Sequence, residues 1–126
     1  MFSWHDFLLL AQKLAREGDE ASKRTAVSRA YYAAFNLARK LLEERGVPIP
    51  DEGRAHSVVW CTLRESGKGL RWIGMEGDRL RKLRCQADYV DHLKDIDKTL
   101  AVATSSAHSI VALIGEELRK GKLSVL

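Results

Sequence analysis

Ser22-Lys23-Arg24-Thr25-Ala26-Val27-Ser28-Arg29-Ala30-Tyr31-Tyr32-Ala33-Ala34-Phe35-Asn36-Leu37-Ala38-Arg39-Lys40-Leu41-Leu42-Glu43-Glu44-Arg45 carries two stripes at helical spacing. Val27, Ala30, Tyr31, Ala34, Ala38, Leu41 and Leu42 form an apolar stripe, and Phe35 and Leu37 widen it beyond what one neighbouring helix needs. Thr25, Arg29, Tyr32, Asn36, Lys40 and Glu43 stay within about a fifth of a turn of a second, polar line, given about 100° per residue. The segment opens near Asp19 or Ser22 and is stopped by Gly46 and Pro48. A long helix contacted on more than one side implies an all-α protein built around it.

The flanking sequence follows the same period. Ser3, with Asp6 three residues on, marks a helix start, and Trp4, Phe7, Leu8, Ala11, Leu14 and Ala15 recur at helical spacing until Gly18. Val47-Pro48-Ile49-Pro50 reads as an extended loop. A helix around residues 54–66 places His56, Val59, Trp60 and Leu63 on one face. Gly67, Gly69, Gly74 and Gly77 predict a loop or broken turn, with a fourth helix beginning near Glu76 or Asp78 and turning Leu80, Leu83 and Ala87 inward. A fifth spans about residues 94–120, burying Ile96, Leu100, Ala103, Ala107, Ile110, Ile114 and Leu118. No period-two strand is evident. Short connections between helices predict an antiparallel up-and-down bundle of about five.

Composition bounds the rest. The 126 residues are read as one domain, residues 1–126, large enough for a core, and 45% hydrophobic with 30% charged residues is ordinary for a globular chain. Apolar runs fall far short of a membrane span. Met1 to Asp6 lacks the basic start and small-residue cleavage site of a secretory signal, and Cys61 and Cys85 form no CxxC pair. The expectation is a cytoplasmic protein with two reduced thiols. The net charge is +4, and the stretch from Arg64 to Arg84 alone holds seven bases (Arg64, Lys68, Arg71, Arg79, Arg81, Lys82, Arg84) against Glu65, Glu76 and Asp78. A patch of that kind is what RNA or a nucleotide requires, and equally what a solvated helix face looks like.

Several residues are candidates for chemistry. Arg29 and Tyr32 lie among Ala30, Ala33 and Ala34, where another helix can approach closely. Arg29 is read as a buried guanidinium paired to Asp88, ahead of direct ligand contact. Arg84 and Asp88, four residues apart, share a helix face, a spacing usually found in surface ion pairs, and Tyr89 adds a phenol. Cys61 and His56 share no helical face and lack a third member for a triad. His5, His56, His92, His108 and the two cysteines fit no zinc spacing, so neither a metal nor a cofactor is expected. Gly67-Lys68-Gly69 and the Gly74 to Gly77 spacing match no phosphate-loop or dinucleotide pattern. Trp4, Trp60 and Trp72 are read as core or dimer anchors.

Ser28-Arg29-Ala30-Tyr31-Tyr32-Ala33-Ala34-Phe35, a glycine closing that helix, Ala55-His56-Ser57 opening the next, and Leu83-Arg84-x-x-Ala87-Asp88-Tyr89 together resemble the HEPN domain, over roughly residues 4–118. The resemblance implies a bundle of about five helices that pairs as a homodimer. It also implies, in catalytic branches, an Arg-x4–6-His motif that cleaves RNA without a metal in a cleft between two copies. Other members are toxins held in check by a small nucleotidyltransferase. Arg84 matches the motif arginine, but the histidine positions hold Tyr89, Val90 and Asp91, and His92 lies one residue beyond. A phenol with a pKa of about 10 is a poor base at neutral pH.

Three functions follow as expectations. The first is a dimeric RNA- or nucleotide-binding module acting with a nucleotidyltransferase antitoxin, in which Arg29, Tyr32, His56, Arg79, Arg81, Lys82 and Asp88 converge with Arg84. The second is a metal-independent endoribonuclease toxin in which Arg84 holds phosphate and His56 or His92 replaces the base lost at Tyr89. The third is a structural interaction domain. Dimerisation is expected through the second and fourth helices.

Overall fold

The computed structural model describes residues 1–51 and 53–125, and their side chains except at positions 68 and 122–125. Five helices follow in order: α1 (His5–Ala15), α2 (Glu20–Glu44), α3 (Gly53–Arg64), α4 (Lys68–Tyr89) and α5 (Ile96–Val125), with no strand among the described residues. The fold is an all-α helical bundle.

Local chemistry sets the first boundaries. The Asp6 carboxylate accepts the Ser3 N–H at 3.2 Å, and the Ser3 hydroxyl accepts the His5 N–H at 3.2 Å. Gly18 takes φ +89° before Asp19, whose carboxylate caps α2 by accepting the Ser22 N–H at 2.9 Å. That hydrogen bond holds the Asp19 carboxyl below its ordinary range.

Helix α2 is the hub. Ala26, Ala30, Ala33, Ala34 and Ala38 are fully enclosed, and α1, α4 and α5 pack directly on it. Its excess apolar width, which implied contact on more than one side, is taken up by these three helices. Lys23 pairs with Asp97 at 2.6 Å and Arg45 with Glu117 at 2.8 Å, tying like ends of α2 and α5, so these two run parallel. Arg45 and Lys120 hold the Glu117 carboxyl below its usual range, Arg45 contributing most. Helix α4 runs antiparallel to α2. Arg24, near the start of α2, donates to the carbonyls of Ala87 (3.1 Å), Val90 (2.5 Å) and Asp91 (3.1 Å), closing the last turn of α4.

The glycine-rich stretch is a helix, contrary to its reading as a loop: α4 begins at Lys68, eight residues before Glu76. The reason is packing. A Cβ on Gly74 would overlap the backbone of Trp60 and Arg64, and one on Gly77 would overlap the Trp60 indole. Close crossing of α3 and α4 requires these glycines and outweighs a helix propensity about 1 kcal/mol worse than alanine at each. Trp60 lies in the core, Trp4 is half-buried, and Trp72 stands 44% exposed.

Gly74→Ala is expected to destabilise the fold by about 1–3 kcal/mol through overpacking. Gly115→Ala in α5, where only the Arg119 side chain comes near, is expected to stabilise by up to about 1 kcal/mol. Thermal melts of the two variants check the opposite signs.

Candidate functional site

Arg84 sits where α2, α3 and α4 converge, and it is only 9% exposed. Its guanidinium carbon lies 5.4 Å from the Tyr31 ring, 5.5 Å from Tyr32 and 5.9 Å from Tyr89. Nη1 faces the Asp88 carboxylate at a long 3.4 Å, and Nε is enclosed with no acceptor. Burial opposes the charge, but Tyr32, Cys85 and Asp88 outweigh it and raise the pKa above the ordinary guanidinium value. Arg84 is therefore a permanent cation, bonded through Nη1 to Asp88 among the described residues. Three aromatic faces compensate for part of its lost hydration.

Beneath it lies a second polar cluster. The Trp60 Nε1–H donates to the Tyr31 hydroxyl at 3.0 Å, and the same hydroxyl lies 2.6 Å from His56 Nδ1. The Tyr31 hydroxyl thus links Trp60 and His56 in one hydrogen-bonded cluster. His56 stacks on Phe35 at 4.1 Å. Burial, reinforced by the charges of Arg84 and Arg81, pushes the His56 pKa below the ordinary imidazole value, so the ring is neutral at pH 7. Burial pushes the Tyr31 phenol well above its usual range.

Of the residues expected at the site, Arg84, Asp88, Tyr32, His56 and Tyr89 come together, with Tyr89 75% exposed at the rim. Asp88 is also bonded to Ser28, whose hydroxyl lies 3.3 Å away. The pairing of Arg29 with Asp88 is not formed. Arg29 instead stacks over Phe7 at 4.6 Å and Tyr32 at 5.1 Å, because Arg84, a turn away on α4 itself, occupies the carboxylate. Nor are Arg84 and Asp88 a surface pair, since the guanidinium is buried. Phe7, Arg29, Tyr32, Arg84 and Tyr89 thus form a row in which rings and guanidinium groups alternate.

The basic stretch does not act as one patch. Arg81 faces α3, pairing with Asp78 at 3.2 Å beside a cavity of about 90 Å³ lined also by Ser57, Cys61 and Arg64. Arg79 and Lys82 face α5, where they line a groove with Lys98. One turn of α4 presents successive residues to different neighbours, so adjacency in sequence scatters them. The Lys68 side chain lies outside the described residues. His92 is exposed and follows the end of α4 at Tyr89. Among those residues no group of three His, Cys, Asp or Glu converges, and no helix is long and apolar enough to cross a membrane.

Sequence reasoning put Tyr31 and Trp60 in the core and missed their polar role. The signal was present: a tyrosine rather than a phenylalanine in an apolar stripe requires a partner for its hydroxyl. Ser28 and Arg24 carried no comparable signal, because their partners lie 60 or more residues away.

Tyr31→Phe is expected to destabilise by about 1–3 kcal/mol by leaving the buried Trp60 N–H unpaired. With the folded pKa of His56 below its unfolded value of about 6.5, the unfolded chain takes up the proton first. Stability from this site is therefore complete above about pH 6.5 and declines as pH falls towards the folded pKa. Thermal midpoints between about pH 7.5 and about pH 5 should fall for the wild type and flatten in His56→Asn.

No family model, curated protein sequence or solved structure matches the chain.

Proposed function

We propose that this protein is an RNA- or nucleotide-binding module that anchors a phosphate on Arg84. The observation that carries this reading is a buried, permanently charged guanidinium with one long ion pair and an enclosed, unpaired Nε. The enclosed Nε has no acceptor, and a phosphate is the planar fork's natural complement. The row of rings and guanidinium groups from Phe7 to Tyr89 supports a single-stranded ligand, for which stacking faces interleaved with positive charge are the usual means of binding. The sequence resemblance to HEPN domains supports the same reading. A second copy of the chain and a small nucleotidyltransferase are the partners that go with it.

Metal-independent RNA cleavage is the second reading, favoured by the approach of His56 to Arg84. The ring is neutral, as a base must be, but its Nδ1 is already engaged by the Tyr31 hydroxyl at 2.6 Å. Tyr89 is a phenol and His92 lies beyond α4 in an exposed segment. Binding therefore ranks above cleavage.

Fluorescence anisotropy with a labelled single-stranded oligouridine, in chelator, tests the proposal, with uridine monophosphate as competitor. Arg84→Gln is expected to weaken binding at least about tenfold, equivalent to about 1.4 kcal/mol, and to reduce the salt slope by about one. Thermal melts establish that the variant is folded. The oligonucleotide should be recovered intact. Unchanged affinity in folded Arg84→Gln contradicts the binding site, and cleavage abolished by that substitution makes the protein an enzyme.

A further inference from the structure

Two concavities lie end to end along the α4–α5 seam, away from Arg84. One, of about 350 Å³, has Leu83 and Val102 as its floor and Arg79, Lys82 and Lys98 around it. The other, of about 370 Å³, shares Val102 and continues past Glu76 to Trp72 and the small residues Ala101, Ser105 and Ser109. Together they make a shallow trough running from Lys82 to Trp72, ten residues or about 15 Å of helix. Its charge is uneven. Arg79, Lys82 and Lys98 stand against the single carboxylate of Glu76, which is held to Arg79 at 3.5 Å, and Lys82 reaches Asp78 only at 3.7 Å.

A second observation comes from inside the trough. Ser106 lines it, is only 7% exposed, and its Oγ has no hydrogen-bond partner. A buried hydroxyl without a partner costs about 1–3 kcal/mol, whereas serines within helices commonly return their proton to the preceding turn, as Thr104 does to the Leu100 carbonyl at 2.8 Å. The trough therefore combines an apolar floor, a large exposed aromatic at one end, a cationic end opposite, and a buried serine hydroxyl without a partner.

We propose that the α4–α5 trough docks an acidic amphipathic helix of a partner protein. Its apolar face would lie over Val102 and Leu83 towards Trp72, and its carboxylates would meet Lys98, Lys82 and Arg79. Shape selects a helix over a small molecule: the trough is long, open and walled by small residues that admit a close helix, whereas small-ligand sites enclose most of the ligand surface. Charge selects an acidic one. The inference is independent of the phosphate site on Arg84, which faces α2 and α3.

The probe is a fluorescein-labelled synthetic helix of about five turns, with leucine along one face and glutamate on both flanks. Anisotropy should show saturable binding, weakened at least about tenfold in Lys82→Glu/Lys98→Glu, both exposed and so compatible with folding. Arg84→Gln should bind it as the wild type does, which separates this site from the phosphate site. Ser106→Ala should raise the thermal midpoint of the free protein and weaken the peptide, the combination expected of a hydroxyl whose acceptor comes from the partner. A lysine-flanked peptide should not bind. Absence of binding by the acidic peptide, indifference to the charge reversal, or displacement of the peptide by single-stranded oligouridine would each overturn the proposal.

Discussion

A guanidinium cannot be buried cheaply, and the arrangement of α2, α3 and α4 around Arg84 shows how this chain manages it. Three tyrosine rings surround the charge, one long contact to Asp88 faces it, and its enclosed Nε has no acceptor among the described residues. Each aromatic face offers on the order of 1–2 kcal/mol when desolvated, less than one well-formed ionic hydrogen bond restores. That arrangement depends on α2, whose enclosed alanines bring α4 near enough for Tyr31 and Tyr32 to reach the guanidinium.

The layer below ties α2 to α3. Trp60, Tyr31 and His56 form a hydrogen-bond chain centred on the Tyr31 hydroxyl, to which the indole can only donate. The imidazole is held neutral and stacked, with Nδ1 engaged by that hydroxyl. Gly77 is part of the same device: without a side chain there, α4 comes close enough to lie against the Trp60 indole. A glycine in one helix thereby supports a hydrogen bond between two others.

The fold class was legible because apolar residues in α1, α2, α3 and α5 recur with the helical period over long windows. Helix α4 was legible only in its second half. Gly74 and Gly77 are poor helix formers, and their compatibility with α4 comes from the approach of α3, which no local window contains. Within the site, Arg84, Asp88 and Tyr89 could be grouped because they are neighbours in sequence, and His56 because Ala55-His56-Ser57 is one of the segments that carry the HEPN resemblance. The partner of Arg29 could not be read, since several polar groups of correct chemistry competed and packing decided between them. The basic stretch misled for a related reason: charge was counted along the chain, whereas α4 distributes Arg79, Arg81 and Lys82 between two different neighbours.

The most direct measurement is arginine-selective nitrogen–proton NMR of the free protein, with the Arg84 Nε–H signal assigned by substitution. An enclosed, unpaired Nε–H predicts a signal protected from solvent exchange that shifts on titration with single-stranded oligouridine, in step with the bound fraction. An Arg84 signal that exchanges freely, or that stays fixed while oligouridine binds, would contradict the account.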